Sequence, residues 1–243
     1  MSEWKARRFW KAAEPVAEAG GFTVRLDGRP VKTPAKAPLI VPAFAMAEAI
    51  AAEWDAQGEQ IDPNAMSVTR AANAAIDKVA HQHAEVAQML ADYGDSDLLC
   101  YRAESPVELV ERQQATWDPL LDWAADTLGA RLRPVTGVMH APQDGQALAT
   151  LARQVQAMDA FTLTAFHDLV SLSGSLVIGF AALHSAHDTA ALWQASRVDE
   201  TWQEELWGPD EEARDHAARK ESAFYAAKRF HDLLGERQSG RKQ

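Results

Sequence analysis

FTVRLDGRPVKT, residues 22–33, decides the fold class. Phe22, Val24 and Leu26 alternate with Thr23 and Arg25, which is the period of a half-buried strand. Asp27-Gly28 follows, and this pair is the favoured filling of a two-residue hairpin turn. Arg29 to Thr33 is then the returning strand, and Pro30 puts it at an edge because proline cannot donate to a ladder. Leu39 to Val41, between Pro38 and Pro42, reads as a third strand, and Arg8 to Lys11 is a candidate fourth. These make a small antiparallel sheet whose apolar face needs a covering helix.

AFAMAEAIAAEWDAQ, residues 43–57, supplies that helix: strong helix formers, an apolar stripe of Ala47, Ile50 and Trp54, and Gly58 as its stop. Asp62-Pro63 is an N-cap with a first-turn proline and opens a second helical region through Met66, Ile76, Val79, Val86 and Leu90. The expected class is therefore α+β, with a small domain over residues 1–62 and a mainly helical one over 63–243. Pro106 starts a helix with Leu109, Trp117, Leu120, Leu121, Ala124 and Leu128 on one face, ending at Gly129. Pro119 kinks or divides it. Residues 131–138 are either a strand returning to the N-terminal sheet or a loop. Further helices are expected near 145–157, 159–171, 174–185, 188–207 and 210–235, and the polar tail 236–243 is expected to fray.

Composition excludes several function classes. With 47% hydrophobic residues in 243, the chain can build a proper core, and its formal charge of −11 opposes phosphate backbones and anionic membranes. No nucleic-acid partner is expected. The one cysteine, Cys100, precludes an intrachain disulfide and lies in the apolar segment DLLCYR, as a small buried hydrophobe would. Leu169 to Leu183 is the longest uncharged apolar run, and it falls short of the roughly 20 residues a membrane span needs. The N-terminus has neither signal-peptide nor transit-peptide character, so the expected home is the cytoplasm.

The stretch DTAALWQASRVDETWQEELWG, residues 188–208, carries two stripes at helical pitch. Leu192, Ala195, Trp202 and Leu206 make an ordinary core face. Opposite them, Trp193, Arg197, Glu200, Glu204 and Trp207 form a ridge that reads either as packing on neighbouring helices or as a partner-binding face. In the second reading the carboxylates set the orientation of the partner.

Chemistry is sparse. No GxxxxGK[ST] or GxGxxG is present, so no nucleotide cofactor is expected. Ser173-Gly174-Ser175 lacks the flanking glycines of a nucleophile elbow and reads as a close helix contact. His81, His83, His184 and His187 have no converging third ligand in the sequence, so no metal site is expected. The enzyme alternative is a metal-independent hydrolase using Asp95, Asp97 or Asp199, which would need two of them in one pocket.

Five segments together resemble the alpha-subunit assembly chaperones of F-type ATP synthase, found in mitochondria and some bacteria. They are RRFWK (7–11), LDGRPVKTPAK (26–36), AAEWDAQGEQIDPNAMSVTR (51–70), DSDLLCYR (95–102) and DETWQEELWG (199–208), in the family's order over most of the chain. The resemblance implies a non-enzymatic, ATP-independent factor that binds unassembled alpha subunit and prevents its aggregation before it pairs with beta. It carries over Trp54 and the motif positions Asp27 and Gly28 as structural, and Glu200, Gln203, Trp207 and Gly208 in the C-terminal acidic segment. Glu200 is the implied key acid, with Glu204 its competitor. The implied setting is a monomer in a bacterial cytoplasm, with a permanent structural subunit of the complex as a further alternative.

Overall fold

The structure is a computed structural model that describes residues 7–208 and 210–235. It has the expected α+β class, a three-stranded antiparallel sheet near the N-terminus followed by helices. The polar tail lies outside the described residues. The described residues pack as two compact units, one of 7–82 with Ala160–Ala165 and 229–235, the other of His83–Asp159 with Phe166–Lys228. The two units are not divided at a single point along the chain. The helix after Asp62 stays with the first unit, and two later stretches join it.

In the first unit, β1 (Ala13–Glu18), β2 (Gly21–Leu26) and β3 (Arg29–Pro30) lie in that order. Asp27 and Gly28 take φ of 47° and 81°, the doubly positive geometry of the expected hairpin turn. The Asp27 carboxylate also accepts from the backbone N–H groups of Lys11 and Ala12, and these bonds, Ala12's first, hold its pKa below the ordinary value. The third strand is corrected to a single bridge between Phe22 and Val41, and the candidate fourth, Arg8 to Lys11, forms no strand, the neighbouring Arg7 making an isolated bridge to Gln60. The missing strand is β1, which pairs with β2 from Ala13↔Leu26 to Glu18↔Gly21.

Helix α1 (Phe44–Asp55) lays Met46, Ala47 and Ile50 into a core with Val24, Leu26, Val31, Leu39 and Val41, to which Ala165, Phe230 and Leu233 also belong. Trp54 is half-buried against Trp10, ring centroids 5.0 Å apart. The polar residues around Trp54 are locks. Glu53 reaches the first turn of α2 (Ser67–Ala74), where Oε1 accepts from Val68 N–H at 2.7 Å and Oε2 from Thr69 N–H at 2.8 Å. Asp55 accepts from Ala13 N–H, and Gln57 from Asp62 N–H. Arg8 donates to the carbonyls of Asp55 and Gln57, which ties the RRFWK segment to the end of α1.

The second unit holds α3 (His83–Ala91), α4 (Val107–Trp123), α5 (Gly145–Gln156), most of α6 (Ala160–Ser173), α7 (Leu176–Leu183), α8 (Thr189–Ala195), α9 (Val198–Trp207) and most of α10 (Glu211–Gly235). Pro119 does not divide α4, which runs on to Trp123 and through a wider turn to Gly129, at φ 67°. Strand β5 (Val135–Thr136) does form within 131–138, but it pairs in parallel with β4 (Tyr101–Arg102) and not with the N-terminal sheet.

Helix α7 is buried at every residue from Leu176 to Ala182, which explains its lack of any polar face. Among the described residues no helix is long and apolar enough to cross a membrane. Gly174 is corrected from a packing glycine to a turn residue at φ 72°, with Ser175 capping α7 by accepting from Ile178 N–H. The close approach occurs at Gly179, where a Cβ would stand 2.6 Å from Val170 of α6. Helix α10 is exposed along Glu211–His216, then buries Phe224, Ala227, Phe230 and Leu233 at helical spacing.

Candidate functional site

The ridge of Trp193, Arg197, Glu200, Glu204 and Trp207 requires one helix through residue 207, and the structure has two. Ser196 donates its hydroxyl to the Trp193 carbonyl at 2.6 Å, and Arg197 leaves helical geometry at φ −116°, ψ 14°. A hydroxyl that returns to a carbonyl three residues back offers the backbone an alternative to helix continuation. The break resets the phase of both stripes. Leu192 and Ala195 are buried as expected, while Leu206, expected in the core, is 57% exposed.

The two tryptophans of the ridge part company. Trp193 is 5% exposed, with its ring 5.6 Å from Phe224 of α10 and under the Arg197 guanidinium at 5.9 Å. Its expected role as an outward contact is corrected: it completes the interior of this unit. Trp207 is 78% exposed and, with Leu206, ends α9 in an apolar tip, beyond which Gly208 takes φ 83°. Arg197 pairs with Glu200 at 2.7 Å. Glu200 and Glu204 are half-buried and Gln203 is exposed.

Helices α8 and α9 are fixed to α4, in part by groups the sequence did not single out, Arg112, Gln113 and Glu205. Arg112 meets both carboxylate oxygens of Glu205 at 2.9 Å and lies 5.0 Å from the Trp202 ring centroid. That hydrogen-bonded pairing holds the Glu205 pKa below its ordinary value. Gln113, itself buried, donates to Asp199 at 2.7 Å and accepts from Ala103 N–H at 2.8 Å. Trp117 donates its indole N–H to the Ala195 carbonyl at 2.7 Å. A glutamine four residues before Trp117 on the apolar face of α4 was the available signal, because a buried amide demands partners.

A groove of about 260 Å³ is lined by Trp193, Arg197 and Glu204 and by Arg214, Ala218 and Glu221 of α10. None of the three aspartates of the hydrolase reading lines it. Asp97 is fully buried and bridges Leu99 N–H and Val177 N–H, both at 3.0 Å, and burial pushes its pKa up to about 6. Asp95 accepts from Gln143 N–H at 2.8 Å and contacts His140 at 2.9 Å. The Gln143 bond is the main cause of its lowered pKa. With Asp199 held by Gln113, each carboxylate serves a separate internal contact.

Among the described residues no group of three His, Cys, Asp or Glu is placed to hold a metal ion. His83 contacts the Met158 carbonyl at 2.7 Å, and His184 packs on Trp123. Cys100 is buried, and burial pushes its thiol up to about 12.

The sequence profile of the ATP12 chaperone protein family matches residues 7–125. The crystal structure of Atp12 from Paracoccus denitrificans is similar over 96% of this chain and 100% of that one, with 51% identity and a TM-score of 0.93. The chain belongs to the ATP12 chaperone family. A crystal structure of an Agrobacterium tumefaciens protein matches at 41% identity and a TM-score of 0.90, over 94% of this chain and 86% of that one. The mitochondrial protein atp12 of Schizosaccharomyces pombe is 25% identical over 221 residues, 86% of this chain and 76% of the yeast protein. Within the ATP12 profile, the motif residues Glu53, Asp55, Gln57, Asp97 and Arg102 all make internal hydrogen bonds. Those stretches maintain the fold, and the exposed tip of α9 lies outside them.

Proposed function

We propose that this ATP12-family protein is an assembly chaperone for the catalytic sector of F-type ATP synthase whose client is the unassembled alpha subunit. It acts by covering surface and not by catalysis. The observation that carries the reading is the 51% identity to Paracoccus Atp12 over 96% of the chain. An unassembled subunit exposes apolar area intended for its neighbours, and transient cover keeps that area from self-association. Leu206 and Trp207, bare on a helix fixed by Arg112 and Gln113, are suited to such contact, and the charged groove that Glu204 of the same helix lines gives a polar rim. In this reading Glu200, Gln203 and Glu204 orient the client, and the chaperone works as a monomer in a bacterial cytoplasm.

Light scattering of purified alpha subunit during dilution from denaturant tests the proposal. The wild-type chaperone is expected to suppress aggregation. Trp207→Ala and Glu200→Lys should each need roughly tenfold more chaperone for the same effect, the size of one interface anchor, with unchanged thermal unfolding. Undiminished suppression by both variants would remove the tip from the contact. Failure of the wild type would remove the client.

A further inference from the structure

Outside the α9 tip, the most exposed large apolar side chains of the second unit are Val138, at 92%, and Met139, at 82%. They sit on a loop that is fastened on both sides. Gly137 donates its N–H to the Arg102 carbonyl at 2.9 Å. His140 contacts Asp95 at 2.9 Å, and Gln143 donates its N–H to the other oxygen of the same carboxylate at 2.8 Å. The Gln143 amide then clasps the backbone of Arg133, accepting at 2.8 Å and donating at 2.9 Å. Gly137 itself has φ 87°, with Glu104 Oε1 3.0 Å from where a Cβ would stand, so a side chain there is strained and crowded.

A loop held this firmly loses little further freedom when it binds, which removes much of the ordering cost of association. Methionine also adapts to irregular apolar surfaces. The exposed carboxylate of Glu104 stands beside Gly137, in a chain of net charge −11, while Asp95 is already taken up by His140 and the Gln143 N–H. Charge complementarity therefore selects a partner segment that carries a lysine or arginine next to its apolar residues. We infer that residues 137–140 form a second client contact, in which Val138 and Met139 pack on an apolar, base-flanked segment of the unassembled alpha subunit. The inference rests on the client reading above.

Two measurements with purified alpha subunit test it. In wild type the only cysteine is buried Cys100, so a Met139→Cys variant carries a single accessible thiol to which a benzophenone can be attached. Irradiation should cross-link chaperone to alpha subunit, and added salt should reduce the yield. The double variant Val138→Ser, Met139→Ser should require roughly tenfold more protein to suppress aggregation, and Glu104→Lys should reduce the salt dependence. If wild type suppresses aggregation while the double serine variant does so equally and no client cross-link forms, the loop contact is wrong and the client reading stands. If wild type does not suppress, both fall. Cross-links only between copies of the chaperone would overturn the loop contact in favour of self-association.

Discussion

Asp97→Ala is expected to lower the stability of the unit that contains it by about 3–5 kcal/mol, because two buried N–H groups lose their acceptor at once. Leu99 N–H and Val177 N–H both donate to this carboxylate, which joins the turn at Leu98–Cys100 to the start of α7. Asp97→Asn keeps the shape and one acceptor oxygen, so its cost should be smaller. The comparison of wild type with the asparagine variant also depends on pH. Burial raises the Asp97 pKa from 3.8 to about 6, so the native state holds this proton more tightly than the unfolded chain. The corresponding stability is fully present below about pH 4 and is lost as pH rises through about 6. Urea unfolding of both proteins between pH 4 and 7 should show wild type losing on the order of 2–3 kcal/mol relative to the variant. A difference that stays flat across that range would show that Asp97 keeps an ordinary pKa in the fold.

Glu53→Ala should cost about 2–4 kcal/mol in the first unit, the sum of a lost helix cap and its charge-assisted bonds. α2 has no capping side chain of its own at Met66, and Glu53 replaces one from the neighbouring helix by accepting from Val68 N–H and Thr69 N–H, as well as from the Thr69 hydroxyl at 2.7 Å. Glu53→Gln, which retains one acceptor, should fall between wild type and alanine. Equal urea midpoints for wild type and Glu53→Ala would mean that water caps α2 just as well.

The hairpin and α1 were legible because their signals are local. Asp27-Gly28 fixes a turn by its φ preference, and the spacing of Ala47, Ile50 and Trp54 fixes a helix face. Strand β1 was not legible: its sequence AEPVAE has glutamates at both 14 and 18, a proline at 15 and no alternation. It is a strand because β2 and the carboxylates of Asp27 and Asp55 hold its approach from outside. β5 also depends on a distant partner, since two residues beside Tyr101–Arg102 leave almost no local trace.

The candidate site was half legible. Periodicity found both tryptophans of the C-terminal ridge but could not show the break at Ser196–Arg197, which has neither glycine nor proline to mark it. Without the break, Trp193 and Trp207 share a face; with it, one packs on Phe224 and the other meets solvent. The Val138–Met139 loop gave no signal, because its fastening to Asp95 spans 45 residues from His140.

The uneven burial of α10 makes it a helix of two characters. Its inner end is held by Phe224, Ala227, Phe230 and Leu233, while Glu211–His216 draws its order mainly from propagation out of that end. Trypsin at low dose should therefore nick the chain first after Arg214 or Arg219, both exposed, and spare buried Lys228 until the unit opens. The pattern of early fragments would reveal where this long rod stops being supported.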